Sequence, residues 1–378
     1  MKKGNIVIAV VCLGSIAFGQ GSLTPPGAPA PTMKTLTELD AGHDALATDI
    51  DALKTDVESG FGELKEGKRD LVKAFPSGIY QITDPGYYYL STNLVLNHEI
   101  RIECVNVTLD LNGFTISCES GYSRQDLIAI VETSTNPEKV VIRNGVLDGK
   151  GQQCIGISNY GKKTFVHLEN LSVVNCTFGI SLHSPAFATH CEAKNCTETG
   201  MQVGPGSILD DCTSVSNRMG FSAFDHSIIK NCIAKNNEYI GIAVSEDSIV
   251  EECIASGCYG TNDIAGVGIA ATYRCTVRNC VTSKNEGDGI NVRGDSYVIG
   301  NMSFRNGSAG IYISEHDCRV EGNNCTDNGY GIKVDDNGNF IVKNTASGNT
   351  TNYLINAGSH YRISTSLTGA EAWDNFEF

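Results

Sequence analysis

A glycine followed by an apolar residue recurs along this chain at Gly179-Ile180, Gly200-Met201, Gly220-Phe221, Gly241-Ile242, Gly268-Ile269, Gly289-Ile290, Gly310-Ile311 and Gly331-Ile332. The step is 20 or 21 residues, with one 27-residue step that holds an insertion around Gly260 to Ala265. A unit this short cannot bury a core alone, so it must stack on its neighbours. Two residues beyond each apolar member stands another: Leu182, Val203, Ala223, Val244, Ala271, Val292, Ile313 and Val334. Alternation at period two marks a strand with one buried face.

Each repeat carries a second short strand, with pairs such as Ile208-Leu209, Ile228-Ile229, Ile249-Val250 and Val298-Ile299. A turn is expected at Asp211, Asn231, Glu252, Asn279, Asn301, Asn323 and Asn344. A third strand then opens with Cys191, Cys212, Cys232, Cys253, Cys280 or Met302 and closes on Asn217, Asn237, Asn285, Asn306, Asn328 or Asn349. Three short strands per 21 residues describe a triangular coil. Asn and Gly tolerate the left-handed backbone its corners need. Coils stacked about 4.8 Å apart let Asn side chains hydrogen-bond up the stack. A helical repeat is disfavoured by the β-branched content and by the density of Gly and Asn. The fold class is therefore all-β: a parallel β-helix, a single-stranded solenoid of about a dozen three-strand coils.

Four regions follow. Residues 1–19 read as an export signal, with Lys2 and Lys3 before the apolar run Ile6 to Phe18 and a small-residue cleavage site at Ala17-Phe18-Gly19. Residues 20–33 are a Pro-rich tether, and residues 34–74 a helical, coiled-coil-like segment with Leu36, Leu39, Leu46, Ile50, Leu53, Val57, Leu64 and Leu71 at 3-4 spacing. That segment reads as a cap on the first coil or as an oligomerising helix. Residues 75–378 are the β body. No later segment is apolar enough to span a bilayer. The expected location is the periplasm, the cell surface or the medium. A formal charge of -15 disfavours nucleic acid as a partner.

At this point the chain resembles the right-handed parallel β-helix repeat proteins of the pectin-lyase-like superfamily, closest to secreted members without an assigned activity. The likeness is carried by Thr24 to Leu36, by Tyr80 to Ile116 and by Trp373-Asp374-Asn375-Phe376. It covers most of the chain past the signal; the segment from Asp40 to Lys73 looks like an insertion. The resemblance implies a right-handed solenoid put to work on polysaccharide. The Asn-Thr-Asp, Asp-Asp, Gly-His-Gly and Arg-Ile-Lys set of polygalacturonases is not present as a set. The Trp-x-Asp-His and Arg-x-Pro-x-x-Arg strings of pectate lyases and the Asp-Pro-His-Asp string of alginate epimerases are absent.

Solenoids bind along an exposed face, so the outward positions are the place to look for chemistry. The densest mixture lies between residues 289 and 337. Asp295, Tyr312, Glu315 and His316 are the candidate catalytic residues; Asn291, Arg293, Lys333 and Asp335 are the candidate substrate-binding residues. A lyase needs a base for the proton α to a uronate carboxyl, which Tyr312, His316 or Lys333 offers, and something to neutralise that carboxylate. Arg293 fills that role, or Ca²⁺ held by Asp295, Glu315 and Asp335. A hydrolase needs two carboxyls, which the same three acids offer one and two coils apart. The bland alternative is that corners of any acidic solenoid collect charge. A basic column of Lys194, Lys235, Lys284 and Arg305 reads as a solvated face.

The cysteines at 191, 212, 232, 253 and 280 share one repeat position, and Cys176, Cys196 and Cys258 another. Equivalent positions stack, so these read as an inward ladder of small fillers rather than a metal site. Export permits disulfides, with Cys104 and Cys118 one candidate pair. The favoured function is binding or processing of extracellular polysaccharide, by a lyase or hydrolase on acidic glycan if a bond is cleaved. No cofactor is required by the sequence. The rival class is a non-catalytic adhesion or structural protein, homo-oligomeric through the N-terminal helix.

Overall fold

The computed structural model describes residues 67–131, 138–161, 163–260 and 266–378. The chain divides into two units, Met1–Val57 and Glu58–Phe378, and everything described lies in the second. The expected signal, the tether and residues 34–66 of the expected helix lie outside the described residues.

The second unit is a parallel β-helix. Thirteen strands, from Gln81–Ile82 to Thr351–Ile355, form one sheet, the front. A 26-stranded sheet takes two further short strands from each regular coil, a side strand and a back strand; Ile208–Asp210 and Thr213–Val215 are one such couple. Neighbouring strands pair in parallel and in register with the next coil. The Gly-apolar repeat lies on the front strands. Met201, Phe221, Ile242, Ile269, Ile290, Ile311 and Ile332 stack inward with no exposed surface. The preceding glycine also faces the interior. A Cβ on Gly220 would stand 2.3 Å from Gly241 O, which is why no larger residue holds this place in the regular coils.

All three corners of a coil are built alike. One residue takes the left-handed conformation, and the next turns inward. The left-handed residues include Asp247, Arg274, Asp295 and Asp317 at the front corner, with φ of 55 to 58°. They include Asn231 and Asn279 between side and back strands, and Asn236, Lys284 and Arg305 after the back strand. The inward residue accepts the backbone N–H of its equivalent one coil earlier. Asn237 Oδ1 takes the N–H of Asn217 at 3.0 Å, and Asn306 Oδ1 that of Asn285 at 3.1 Å. At the front corner Ser227 and Ser296 Oγ do the same for Ser207 and Cys275. Where the inward residue is Cys, the sulfur substitutes: Cys212 takes the N–H of Cys191, Cys253 that of Cys232, and Cys280 that of Cys253. The corner amides of a solenoid are buried, and an unmet donor there costs about 1–3 kcal/mol. The ladders meet that requirement.

Two sequence expectations change with the observed register. Val281 pairs with Met302, so Cys280 is level with Asn301. Asn301, Asn323 and Asn344 are therefore not turn residues; they continue the cysteine column inward, and Gly300, Gly322 and Lys343 hold the left-handed place before them. The basic column also divides. Lys194 and Lys235 lie in the back strands with Val215 between them, whereas Lys284 and Arg305 stand at the corner. The inward cysteine ladder is as expected, and Cys118 is a buried free thiol, so it does not bridge to Cys104.

The described part of the expected N-terminal helix is not a continuous helix. Gly67 has φ +89°, Arg69–Asp70 is a strand paired with Tyr88 and Tyr89, and only Leu71–Ala74 is helical. Asp70 starts that turn by accepting the N–H of Val72. Leu71 is fully buried, so this turn covers the first coil. At the other end, Asn375 Oδ1 accepts the N–H of Asn344 at 3.0 Å and forms the last rung of the ladder. Among the described residues no helix is long and apolar enough to cross a membrane.

Candidate functional site on the front sheet

The outer faces of the solenoid differ in how their charges are met. On the side strands Asp110, Arg143 and Glu169 are level, as are Asp210, Lys230, Glu251 and Arg278. Alternating signs stack coil on coil, with ion pairs of 3.0 Å for Arg143–Asp110, 3.2 Å for Lys230–Asp210 and 2.5 Å for Arg278–Glu251. That face neutralises itself. The front sheet carries no such ladder.

The middle of the front sheet presents a column of small outward residues, Ser158, Ser181, Ser222, Ala243 and Ala270, interrupted by Gln202. The same column ends in Asn291, Tyr312 and Lys333, one above the other. The register of adjacent coils alone brings these three together. Asp335, just past the strand that holds Lys333, reaches back to them. Tyr312 donates its hydroxyl to Asp335 Oδ2 at 2.7 Å, and Lys333 Nζ stands 3.2 Å from the same oxygen and 4.5 Å over the Tyr312 ring. Asn291 donates to Asp288 Oδ2 at 3.0 Å. The hydrogen bond to Asp335, with partial burial, pushes the Tyr312 phenol up to about 12. Tyr312 therefore keeps its proton at neutral pH, and the expectation that it serves as a resting base gives way to a role as donor.

The other expected residues fall into two further groups. Tyr273 donates to Glu315 Oε1 at 2.9 Å, and the Arg293 guanidinium lies 5.8 Å from the Tyr273 ring. His316 turns to the corner, with Nδ1 3.3 Å from Asp317 Oδ2. Single ligand atoms of Asp295, His316 and Asp317 all lie within 4.8 Å of one another. The ion site expected from Asp295, Glu315 and Asp335 is not formed, because Tyr273 holds Glu315 and Tyr312 holds Asp335. Nor do those acids form one row of carboxyls. The strand register levels Arg293 with Ser314 and Asp335, and an extra residue in the following corner displaces Glu315 and His316.

Sequence reasoning missed Asp288 and the part played by Tyr273. Asp288 stands immediately before the repeat glycine, where other coils carry Met219, Ile240, Val267 and Tyr330. An acid at that otherwise apolar place was a readable signal. The Tyr273–Glu315 contact joins residues 42 apart, and nothing in the repeat announces it.

A family model described as "Periplasmic copper-binding protein (NosD)" matches residues 204–371. No curated protein matches the chain in sequence. Among solved structures, the chain is similar to the A-module of the mannuronan C-5 epimerase AlgE4 of Azotobacter vinelandii, with a TM-score of 0.59 and 16% identity over 80% of this chain and 98% of that one. It is also similar to the periplasmic alginate epimerase AlgG, with a TM-score of 0.53 and 14% identity over 82% of this chain and 83% of that one. At these identities the likeness establishes the fold.

Proposed function

For a chain with the right-handed parallel β-helix of the pectin-lyase-like proteins, we propose that the front sheet binds an acidic extracellular polysaccharide and acts on its uronate units. The observation that carries this reading is the Asn291–Tyr312–Lys333 column with Asp335 hydrogen-bonded to Tyr312. Lys333, together with Arg293 beyond the column, supplies positive charge for a uronate carboxylate. Asn291 supplies amide contacts to sugar hydroxyls. Removal of the proton α to that carboxylate is common to a lyase and to a C-5 epimerase, the activity named for the two similar structures. Asp335 is the proton acceptor in this scheme and Tyr312 the donor. Expulsion of the neighbouring glycosidic oxygen completes a lyase reaction; return of a proton to the opposite face completes an epimerisation. The export signal read in residues 1–19 and the periplasmic setting named for the family model and for AlgG support action outside the cytoplasm.

Copper does not fit the described donor set. The ladder thiols are buried and act as neutral groups. Cys232 and Cys253 Sγ donate to the carbonyls of Lys230 and Glu251 at 3.1 and 3.2 Å. Burial pushes Cys196 up to about 11 and Cys258 to about 12. A copper ion would need thiolates in a core that favours thiols. The corner group of Asp295, His316 and Asp317 offers one imidazole and two carboxylates, a set better suited to a hard cation.

The test is a panel of alginate, pectate and neutral polysaccharides offered to the purified protein. Binding, absorbance near 235 nm from new unsaturated uronates, and uptake of solvent deuterium at C-5 would each be followed. Acidic glycan is expected to bind, and Lys333→Ala to weaken it about tenfold. A protein that binds none of the acidic glycans, or binds them equally well without Lys333, refutes the reading. Binding without either chemical signal would leave a carbohydrate-binding or adhesion protein.

A further inference from the structure

Eight coils before Tyr312, the front sheet has a second feature, a depression of about 500 Å³. Asp126, Ile155, Tyr160, Phe178, Thr197 and Glu198 line it, with Gln153, Cys154 and Thr177. We propose that this depression binds an uncharged pyranose unit, with Tyr160 as the plate on which the ring lies. The proposal rests on the front sheet being a glycan-binding face, but it does not need the uronate chemistry assigned to Tyr312 and Lys333.

Tyr160 is 64% exposed, which is unusual for a large ring with no covering element. It is nevertheless held in place. His183, one coil on, stacks against it with centroids 5.6 Å apart and an interplanar angle of 28°. The His183 ring is fixed in turn by a contact of 3.1 Å between Nδ1 and Asn159 O. An aromatic ring with one face supported and the other open suits the C–H face of a sugar, at little entropic cost on binding. Ile155 and Phe178 extend the apolar floor.

The polar groups around that floor select against charge. Asp126 is 9% exposed and accepts a hydrogen bond from Ser158, which has no exposed surface although its place in the strand faces outward. Burial pushes the Asp126 carboxyl above its ordinary range, and the nearby Glu99 adds to the effect. Glu198 is already paired with Arg218 at 2.7 Å. No lysine or arginine is among the lining residues. The depression thus offers carboxyl and hydroxyl oxygens and no cation. Sugar hydroxyls can donate to those oxygens, whereas a uronate carboxylate would face acids with nothing to neutralise it. The volume lies within the range of small-ligand sites. The two ends of the front sheet therefore have opposite preferences, uronate near Lys333 and neutral sugar at Tyr160.

The experiment is titration of the full chain with cellohexaose, mannohexaose and laminarihexaose, and with hexamannuronate, followed by calorimetry and saturation-transfer NMR. At least one neutral hexaose is expected to bind. Tyr160→Ala should weaken it tenfold or more, Tyr160→Phe should keep most of the affinity, and Lys333→Ala should leave it unchanged. Asp126→Asn, which removes the acid but keeps a hydrogen-bonding side chain, should change affinity for the neutral sugar and not for hexamannuronate. Thermal unfolding of each variant guards against misfolding, and Tyr160→Phe guards the inference should Tyr160→Ala be unstable. Absence of binding by every neutral hexaose overturns the proposal. So does equal binding by the Tyr160 variants, or protection of the depression by hexamannuronate alone. Loss of hexamannuronate binding in Lys333→Ala with neutral binding intact would separate this site from the uronate site.

Discussion

One buried column of the solenoid is made of two materials. From Cys191 to Cys280 its rungs are thiols, and from Asn301 to Asn375 they are amides. The backbone demand is the same in both halves, since each rung must accept the corner N–H of the coil before it. Sulfur meets it weakly and gives its own proton to a carbonyl, as Cys253 does to Glu251 O at 3.2 Å. Asparagine meets it strongly and does more. Asn323 accepts from the N–H and the amide of Asn301 at 2.8 and 3.0 Å, and donates to Val298 O and to Asn344 Oδ1 at 2.8 and 2.9 Å. The amide half is a continuous hydrogen-bonded wire; the thiol half is a packed stack. The uronate cluster of Asn291, Tyr312 and Lys333 lies where the column turns to amide, so its supporting coils are the more rigidly specified ones.

The largest expected effect comes from cutting the wire. Asn323→Ala leaves the Asn301 donors, the Val298 carbonyl and the Asn344 oxygen short of a partner in a dry interior, and should cost about 3 kcal/mol. A denaturant titration would read this, and a loss near zero would mean that water can enter the column. Cys253→Ala removes a weaker acceptor and a small volume, and should cost about 1–2 kcal/mol. Cys253→Ser, which restores acceptor and donor, should recover much of the loss. If Cys253→Ala proved as costly as Asn323→Ala, the distinction between stack and wire would fail.

The smallest effect is in pH dependence, and its sign differs between the halves. Burial pushes Glu321 up, but hydrogen bonds from Lys343 and Arg319 outweigh it and hold the carboxyl below its ordinary value. Its contribution is present above the ordinary value of 4.5 and is lost as pH falls through the folded value. Asp126, in the thiol half, is raised by burial. Its contribution is present below 3.8 and is lost as pH rises through the folded value. On acidification, hydrogen exchange corrected for intrinsic rates should show the coils around Glu321 loosening and those around Asp126 tightening. Loosening of both alike would refute the assignment.

The sequence by itself determined the solenoid. A repeat of 20 or 21 residues with Gly-Ile-x-Val strands can bury its apolar face only by stacking, and stacking makes equivalent residues neighbours. That is why the cysteine ladder was legible, and why Asn291, Tyr312 and Lys333 could be picked out as outward residues of successive coils. The structure decided what depends on register and on side-chain reach. A shift of one residue moved Asn301, Asn323 and Asn344 from the turn to the core, because side chains along a strand alternate faces. An extra corner residue carried His316 away from Tyr312, and Tyr273 captured Glu315 across two coils. Tyr160 and Asp126 belong to the early coils, where the Gly-apolar signature is absent, and only their partners Ser158 and His183 reveal them. Periodicity fixes which residues are stacked; where each functional group points is set by contacts between coils, and those form only when the chain has closed on itself.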